Sequence, residues 1–346
     1  MDRRSFLAFG SQGMAAALFV PQLLSSPSGW AAPPFKPTLF ERPLQNLAFG
    51  SCNQSTRDQR YWRTIQGDSP ELWLWLGDNI YADGLSMQER RTLYRALKEN
   101  GDYRRFREAT PVLGTWDDHD YASDNQGGAF AEKWQSKEAF REFFDLSTEM
   151  LPIERAGVYQ SYSFGPKGQK TQVILLDLRF HMQRAGLSKQ LLGEEQWAWF
   201  EKEVLESDAD LLIIASSLNV SSPVTGFGLE GWRDFGGEKS RLYELIDAAR
   251  KPSIILSGDR HFAEISRTRL SNGLPVYEVM SSGLTHAAAL KLPHPGRLGE
   301  MVGLKNYGQI LIDWSDVGPR LSLRIKSTEG LGVLAEEIVD FAHSAV

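Results

Sequence analysis

The sequence has very little cysteine: one residue, Cys52, in a chain of 346. A single thiol cannot form an intrachain disulfide, which excludes a disulfide-stabilised scaffold. An unpaired thiol is usually buried as a small apolar residue, but coordination of a metal ion would also explain it. At this point Cys52 is therefore either a core residue or a metal ligand.

The chain also lacks an excess of basic residues. Its 38 lysines and arginines face 44 aspartates and glutamates, which gives a net charge of −6. A general nucleic-acid-binding protein carries a basic surface, so we expect no nucleic-acid binding, and any phosphate has to be met by a local positive pocket. With 42% hydrophobic and 24% charged residues, the composition is that of an ordinary globular chain.

The apolar segment near the N-terminus is too short for a comfortable membrane span. It follows Arg3 and Arg4 and leads into small residues, which is the layout of a twin-arginine export signal. We expect the export machinery to recognise residues 1–31 and their removal to leave 32–346 as a single domain. That domain is then periplasmic or secreted, without a stable membrane anchor. An uncleaved N-terminal anchor is the alternative.

The chain contains a series of short apolar runs that each end in polar side chains. Leu72–Leu76 has the length of a buried strand, and Asp78 follows it after one glycine. One turn further on, Tyr81 can return its phenol oxygen to the carboxylate of Asp78. Two oxygen donors at one strand end suggest a metal, whereas a helix cap at Asp78 is the alternative.

The same pattern recurs at four further apolar runs. The candidate ligands that follow these runs are Cys52, Asp118 with His119, Asn219, and Asp259 with His261. The acids of residues 117–120 repel one another unless a cation offsets them, although a solvated acidic loop is an alternative. Asp259 and His261, two positions apart in an extended segment, leave its same face and can converge on one cation.

Segments with helical periodicity alternate with the apolar runs. They are predicted over residues 57–66, 86–98, 131–146 and 191–206. Strands that alternate with helices indicate an α/β fold, in which ligands gather beyond the carboxyl ends of the strands. Three later runs, at 275–280, 309–314 and 320–325, are predicted as further strands, with the last two as a hairpin.

Two arginines and one tryptophan are candidates for contact with a substrate. Arg179 could bind a phosphate bidentately, or it could pair internally with Asp177. Arg260 could bind nonbridging oxygens. Trp232 lies in a glycine-rich aromatic segment, 226–237, which is typical of a substrate rim; a packed surface loop is the alternative.

Seven segments in this order resemble the alkaline phosphatase D family of the calcineurin-like metallophosphoesterases. They are FGSCNQ at 49–54, LGDNIYAD at 76–83, TWDDHDY at 115–121, VILLDLRF at 173–180, SSLN at 216–219, LSGDRHFAEISR at 256–267 and SSGLTHA at 281–287. The resemblance implies a four-layer α/β/β/α sandwich of two mostly mixed sheets flanked by helices. It also implies a metal centre of several ions at the strand ends.

The resemblance implies a role for each candidate ligand. Asp78 matches the acid that bridges two metals, and Tyr81 and Cys52 match the ligands of an iron ion. Asp259 and His261 match the pair that completes the metal set. Thiolate and phenolate donors suit Fe³⁺.

Two positions depart from the pattern of the wider superfamily. Asp118 stands where an asparagine ligand is usual, and Asn219 stands where a histidine is usual. His119 matches the residue near the leaving group. Oxygen-rich ligation favours Ca²⁺ as the second metal, with Zn²⁺, Mn²⁺ and Mg²⁺ as alternatives.

The predicted function is therefore an exported, metal-dependent phosphomonoesterase or phosphodiesterase that acts on a small ester. Cations bridged by Asp78 would convert a bound water into the attacking hydroxide, and His119 would protonate the leaving oxygen. Arg179 and Arg260 would bind the phosphate. One alternative is a phospholipase-like or teichoic-acid-like diesterase, which would need the aromatic segment around Trp232. The other is an exported metal-binding protein without turnover.

Overall fold

Thirteen strands and seven helices lie in the residues that the computed structural model describes, which are 41–185, 189–224, 229–289 and 292–341. These residues belong to one unit of the chain, Pro33–Val346. The export signal predicted for residues 1–31 lies outside the described residues and remains a prediction. Among the helices in the described ranges, none has the length and apolar character needed to cross a membrane.

The strands form two sheets. In chain order they are β1 (Asn46–Gly50), β2 (Leu72–Leu76), β3 (Val112–Thr115), β4 (Gln160–Phe164), β5 (Thr171–Leu175), β6 (Leu211–Ala215), β7 (Ser253–Ser257), β8 (Ala263–Arg269), β9 (Pro275–Ser281), β10 (Arg297–Val302), β11 (Asn306–Ser315), β12 (Gly318–Ser327) and β13 (Val333–Asp340). The first sheet has the order β13-β12-β11-β1-β2-β3, and the second has the order β10-β8-β9-β7-β6-β5-β4. Both sheets are mixed, because a block of parallel strands, β1 to β3 in the first sheet and β5, β6, β7 and β9 in the second, is extended by antiparallel strands.

The helices cover the two outer faces. They are α1 (Tyr61–Gly67), α2 (Met87–Glu99), α3 (Gly101–Ala109), α4 (Asp118–Tyr121), α5 (Lys133–Phe144), α6 (Glu194–Leu205) and α7 (Gly236–Ala249). Helix α2 begins where the sequence supplies a capping box. The Ser86 hydroxyl accepts the backbone N–H of Glu89, and the Glu89 carboxylate accepts the backbone N–H of Ser86.

Three hydrophobic clusters separate four layers. Alternate residues of the central strands point to opposite faces. Leu74 of β2 and Ile213 of β6 pack between the two sheets, whereas Trp73 faces the helices of the first sheet. Ile214 faces the helices of the second sheet, where Trp197 of α6 is buried. The predicted α/β/β/α sandwich is confirmed.

Several predicted elements need correction at their bounds. Helix α1 begins at Tyr61, four residues later than predicted, because residues 55–60 form turns and bends. The segment 226–237 was predicted as a loop, but Trp232–Phe235 is a 3₁₀ turn and α7 starts at Gly236. The predicted hairpin is confirmed as β11 and β12, which pair antiparallel along their whole length.

Candidate metal centre

The carboxyl ends of the central strands meet at one edge of the sandwich. β1, β2 and β3 are parallel neighbours in the first sheet, and β5, β6 and β7 are parallel neighbours in the second. Cys52 follows β1, Asp78 follows β2 and Asp259 follows β7. Ligands of open α/β sheets bind at this end of the strands, so the site lies where the topology predicts.

Four of the candidate ligands have an unusual backbone conformation. Cys52, Asp78, Asp259 and His261 have positive φ angles of 60°, 50°, 75° and 58°. This left-handed region costs a residue with a Cβ about 1–2 kcal/mol, and such strain concentrates at functional sites. The conformation bends each chain sharply as it leaves its strand and directs the side chains toward one another.

Glycine is required before two of these acids. Gly77 has φ +92°, and a Cβ there would lie 2.5 Å from the Cβ of Asp117. A Cβ at Gly258 would lie 2.8 Å from the Cβ of Ser51. Both glycines therefore permit a neighbouring strand end to come close, which explains the repeated Gly-Asp pair in physical terms.

Five donor atoms from distant parts of the chain gather around one point. The Asp78 Oδ2 lies 3.3 Å from Cys52 Sγ and 3.3 Å from the Tyr81 hydroxyl. That hydroxyl lies 3.0 Å from Nε2 of His261 and 3.2 Å from Nε2 of His286. The two Nε2 atoms are 3.1 Å apart.

This donor set fits a metal ion. Ligand atoms bound at about 2.1 Å and at right angles are roughly 3 Å apart, as these are. The facing Nε2 atoms of His261 and His286 can form only one hydrogen bond between them, whereas each can donate a lone pair to a cation. Thiolate, phenolate, carboxylate and two imidazoles would thus occupy one coordination sphere.

A second donor group adjoins Asp78 and is rich in carboxylates. The ligand atoms of Asp117, Asp118 and Asp259 lie within 4.8 Å of one another, as do those of Asp78, Asp118 and His119. Within the described residues, the buried atoms Asp78 Oδ1, Asp117 Oδ2 and Asp118 Oδ1 accept no hydrogen bond, and Asp118 Oδ1 has only Nη2 of Arg179, 3.5 Å away. Buried carboxylate oxygens that lack donors are costly, and a cation would satisfy all three.

Burial dominates the protonation of the centre. It raises the pKa of the Cys52 thiol to about 11, although hydrogen bonds from Ser282 and Ser51 oppose the shift. It raises the pKa of the Asp78 carboxyl well above its ordinary value, and the nearby Cys52 and Asp118 add to the effect. Burial lowers the pKa of His286 to about 4. Metal binding at this centre must therefore displace protons from the thiol and the carboxyl.

His119 lies at the edge of the second donor group. Its Nδ1 is held by Asp83, 2.8 Å from Oδ1 and 2.7 Å from Oδ2, so Nε2 is left for another partner. Its ring lies against that of Tyr81, with the centroids 4.2 Å apart. The side chain is 17% exposed. A histidine with one nitrogen oriented by a carboxylate and the other beside the donor group is suited to proton transfer.

Arg179 is fully buried and pairs with acids of the centre. Its Nε donates to Asp117 Oδ1 at 2.5 Å, and its Nη2 lies 3.5 Å from Asp118 Oδ1. The alternative of a side-chain pair with Asp177 is not what the structure has, because Asp177 accepts the backbone N–H of Arg179 instead. The guanidinium orients the acids, and this geometry does not expose it to a substrate.

Three further predicted site residues are placed differently from the prediction. Asn219 is not directed to the donor groups, because its amide donates to Glu278 at 2.9 Å and its carbonyl oxygen accepts the backbone N–H of Ser222. Trp232 is fully buried, and its indole N–H donates to Ser216. Trp232 therefore belongs to the core beneath α7 and does not line a rim, while residues 226–228 of the predicted rim lie outside the described residues.

The side chain of Arg260 is also directed away from the donor groups. It is 2% exposed, and its Nε and Nη2 donate to the backbone carbonyl of Glu230. Its predicted contact with a phosphate at the metals is therefore not supported by this conformation.

Three residues of the centre were not among the predicted site residues. His286 is the histidine of the segment SSGLTHA, and its place in that segment was the signal that could have identified it as a candidate ligand. Asp118 alone was predicted as a ligand, although Asp117 follows the same strand. Asp83 sits two residues after Tyr81, and nothing in the sequence showed that it would reach His119. The two residues are 36 positions apart in the sequence, and only the folded structure shows that they are in contact.

Comparisons with known proteins agree with this geometry. The family model for PhoD-like phosphatase matches residues 47–292. A solved structure of PhoD is similar with a TM-score of 0.66 and 16% identity, over 87% of this chain and 72% of that one. The search of curated proteins gave no match.

Two other solved structures share the fold. The purple acid phosphatase PPD1 from yellow lupin seeds has a TM-score of 0.58 and 11% identity, over 87% of this chain and 54% of that one. GAP50, the anchor in the inner membrane complex of Plasmodium, has a TM-score of 0.54 and 11% identity, over 86% and 89%. At such identities these likenesses establish the fold alone. The family assignment rests on the matched sequence model, which covers more than half of the chain, and the chain belongs to the PhoD-like phosphatase family.

Proposed function

We propose that this chain is an exported, metal-dependent phosphoester hydrolase whose reaction takes place at the carboxylate of Asp78. Family membership supports a phosphatase. The observation that carries the metal dependence is the position of Asp78. Its Oδ2 faces a thiol and a phenol, its Oδ1 has no hydrogen-bond partner among the described residues, and its ligand atom lies within 4.8 Å of those of Asp118 and His119. One carboxylate is thus shared by two donor groups.

The two groups suit different cations. Cys52, Tyr81, His261 and His286 with Asp78 would hold Fe³⁺, which thiolate and phenolate donors favour. The second group, Asp117, Asp118 and Asp259 with Asp78, is all oxygen and would hold Ca²⁺. Bound cations of this kind lower the pKa of a water molecule and neutralise phosphate oxygens.

His119 supplies the proton that the leaving alcohol needs. In-line attack on phosphorus expels an alkoxide, which is a poor leaving group until it is protonated. Asp83 accepts the Nδ1 hydrogen of His119, which fixes the ring and leaves Nε2 to carry the proton. The Nε2 hydrogen is then available for the leaving oxygen. Arg179 holds Asp117 in place while the substrate is bound.

The proposal that the protein is exported is supported by its N-terminal sequence. Arg3 and Arg4 precede a short apolar segment, as in twin-arginine signals, and a chain that carries several metal ions benefits from folding before it is exported. Replacing both arginines by lysine should leave the protein in the cytoplasm. Cell fractionation with detection of the full-length and shortened chains tests this proposal, and unchanged periplasmic appearance would contradict it.

The central experiment combines elemental analysis with hydrolysis of 4-nitrophenyl phosphate, bis(4-nitrophenyl) phosphate and a phospholipid. The native protein should contain metal and should hydrolyse at least one of the esters. Asp78→Ala should lose both metal and turnover. Asp313→Asn, at an exposed position of β11, is the control and should retain both. Full activity of Asp78→Ala would refute the proposal, and the preferred ester would decide between monoesterase, diesterase and phospholipase activity.

A further inference from the structure

Four arginine side chains surround one buried acid beside the metal centre. Glu230 is 3% exposed, and its carboxylate pairs with Arg184 and lies 2.6 Å from Nη2 of Arg179. Its backbone carbonyl accepts Nη2 of Arg260 at 2.8 Å and Nη1 of Arg233 at 3.4 Å. Four guanidinium groups therefore meet at a single residue that carries one negative charge.

Two of these arginines make only a long ion pair or none among the described residues. Arg260 is buried, and within the described residues it donates only to a backbone carbonyl, while its Nη1 has no partner. Arg233 is 7% exposed, and its ion pair with Asp234 is loose, with 3.6 Å between Nε and Oδ1. Its Nη2 donates to the backbone carbonyl of Leu229. A buried cation without a close anion is unfavourable, so this pair needs a negative group.

The backbone at Gly231 brings these two cations side by side. A Cβ at this glycine would lie 3.0 Å from Nη1 of Arg233 and 3.0 Å from Nη2 of Arg260. Both guanidinium groups thus approach the same backbone position, where a side chain would separate them. The two like charges repel each other until an anion lies between them.

The arginines adjoin the proposed reaction site. Arg260 directly follows Asp259, and Arg179 connects Asp117 of the second donor group to Glu230. Arg184 is 38% exposed, so it is the arginine of this group that is most accessible to solvent. An anionic group bound by these arginines would therefore be close enough to belong to the same molecule as a phosphate at the metals.

We propose that Arg184, Arg233 and Arg260 bind a second phosphate group of the substrate while the metal centre acts on the first. This inference rests on the proposed function and names its substrate class, organic phosphoesters that carry another phosphate. Guanidinium groups match phosphate oxygens with two parallel hydrogen bonds, which an ammonium group cannot do. The incoming phosphate competes with Glu230 for Arg184 and supplies the anion that Arg233 and Arg260 lack.

The test compares two substrates of one alcohol, propane-1,3-diol monophosphate and bisphosphate, with the full metal-loaded enzyme. The quantity measured is the ratio of kcat/KM for the bisphosphate to that for the monophosphate. We expect the native ratio to be about ten or more, and we expect Arg184→Gln and Arg233→Gln each to lower it about tenfold, the loss typical of one charge-assisted contact. Arg95→Gln, at an exposed position of α2, should leave the ratio unchanged.

Each outcome separates the inference from the proposed function. If the native enzyme hydrolyses neither ester, the proposed function fails. If it hydrolyses the monophosphate with no preference for the bisphosphate, or if both glutamine variants keep the native ratio, the second phosphate site is refuted and the phosphatase stands. Should Arg233→Gln fail to fold, the half-exposed Arg184 decides, and partial recovery of the ratio in Arg233→Lys would show that charge is what matters.

Discussion

Nδ1 of His119 lies 2.7 Å from Oδ2 of Asp83, and the same carboxylate accepts the backbone N–H of Asp124 at 2.8 Å. The second contact fixes the carboxylate, and the first fixes the imidazole. Because Nδ1 is committed to Asp83, any proton that His119 gives to a substrate must come from Nε2. Asp83 is in this sense a positioning residue that acts through its neighbour.

Replacing Asp83 by Asn should slow turnover in a way that depends on the leaving group. The neutral amide orients the ring less firmly, so Nε2 is held less well for proton transfer to the leaving oxygen. For an alkyl phosphate, whose leaving oxygen needs a proton, we expect kcat to fall about a hundredfold. For 4-nitrophenyl phosphate, whose leaving group needs little assistance, the fall should be much smaller.

The matched control for this change is Asp124→Asn, an exposed position in the adjoining loop. It should leave the leaving-group dependence as in the native enzyme. Equal loss of kcat on both substrates in Asp83→Asn would mean that Asp83 only maintains the structure.

Tyr81→Phe tests the identity of the first metal. The Tyr81 hydroxyl lies within 3.3 Å of Asp78 and 3.0 Å of His261, so a metal held by these groups would also bind the phenolate. A phenolate bound to Fe³⁺ gives a visible absorption band, which the variant should lose together with part of its activity. Tyr121→Phe is the control, because that hydroxyl donates to the backbone carbonyl of Gly127. An unchanged band in Tyr81→Phe would place the phenol outside the coordination sphere.

The sequence predicted the sheet system and most of the donor set, for a clear physical reason. Strands buried on both faces read as continuous apolar runs, and the acid after each run is visible in the sequence. Since neighbouring parallel strands end at one edge of a sheet, Cys52 and Asp78 could be placed together without coordinates, whereas Asp259 follows a strand of the other sheet and joins them only because the two sheets pack face to face. The bends at these residues, with positive φ, carry no sequence signal beyond the glycine before two of them.

What the sequence could not predict depends on side-chain direction. Asn219 follows a strand like the other ligands, yet its amide turns to the buried carboxylate of Glu278. Trp232 lies in a glycine-rich segment that has the composition of a rim, but a helix begins four residues later and the indole packs beneath it. In both cases a partner distant in sequence determines the orientation, so local pattern carries no information about it.

Glu264 should contribute more to stability than an exposed acid does. It is 2% exposed and pairs with His294 at 2.9 Å and Arg297 at 2.6 Å. Burial would raise its pKa, but these two partners outweigh burial and hold the pKa below its ordinary value. Glu264→Ala leaves the His294 imidazole and the Arg297 guanidinium without their carboxylate partner and should lower the free energy of unfolding by about 3 kcal/mol at pH 7.

The sign of the pH dependence follows from the depressed pKa. The native carboxylate stabilises the fold above its unfolded pKa, and this contribution is lost as pH falls through the folded value. The difference between native protein and Glu264→Ala should therefore shrink on acidification below about pH 4. Denaturant unfolding of both proteins at several pH values measures this difference.

Glu336→Ala is the control. It breaks a half-exposed pair with Arg324 and should lower the free energy of unfolding by only about 0–1 kcal/mol at pH 7.

Gly77→Ala should disrupt the metal centre through the backbone, and Gly84→Ala provides the matched control. Both glycines have positive φ, +92° and +67°, so alanine is strained at either position by about 1 kcal/mol. Only at Gly77 would the new Cβ meet an obstacle, 2.5 Å from the Cβ of Asp117, whereas nothing lies within 4 Å at Gly84. Relief of that contact must separate the ends of β2 and β3, which carry Asp78 and Asp117. We therefore expect Gly77→Ala to bind less metal by elemental analysis and to lose most of its activity, while Gly84→Ala keeps both. Equal behaviour of the two variants would show that strain at φ, and not the approach of the two strand ends, sets the requirement for glycine.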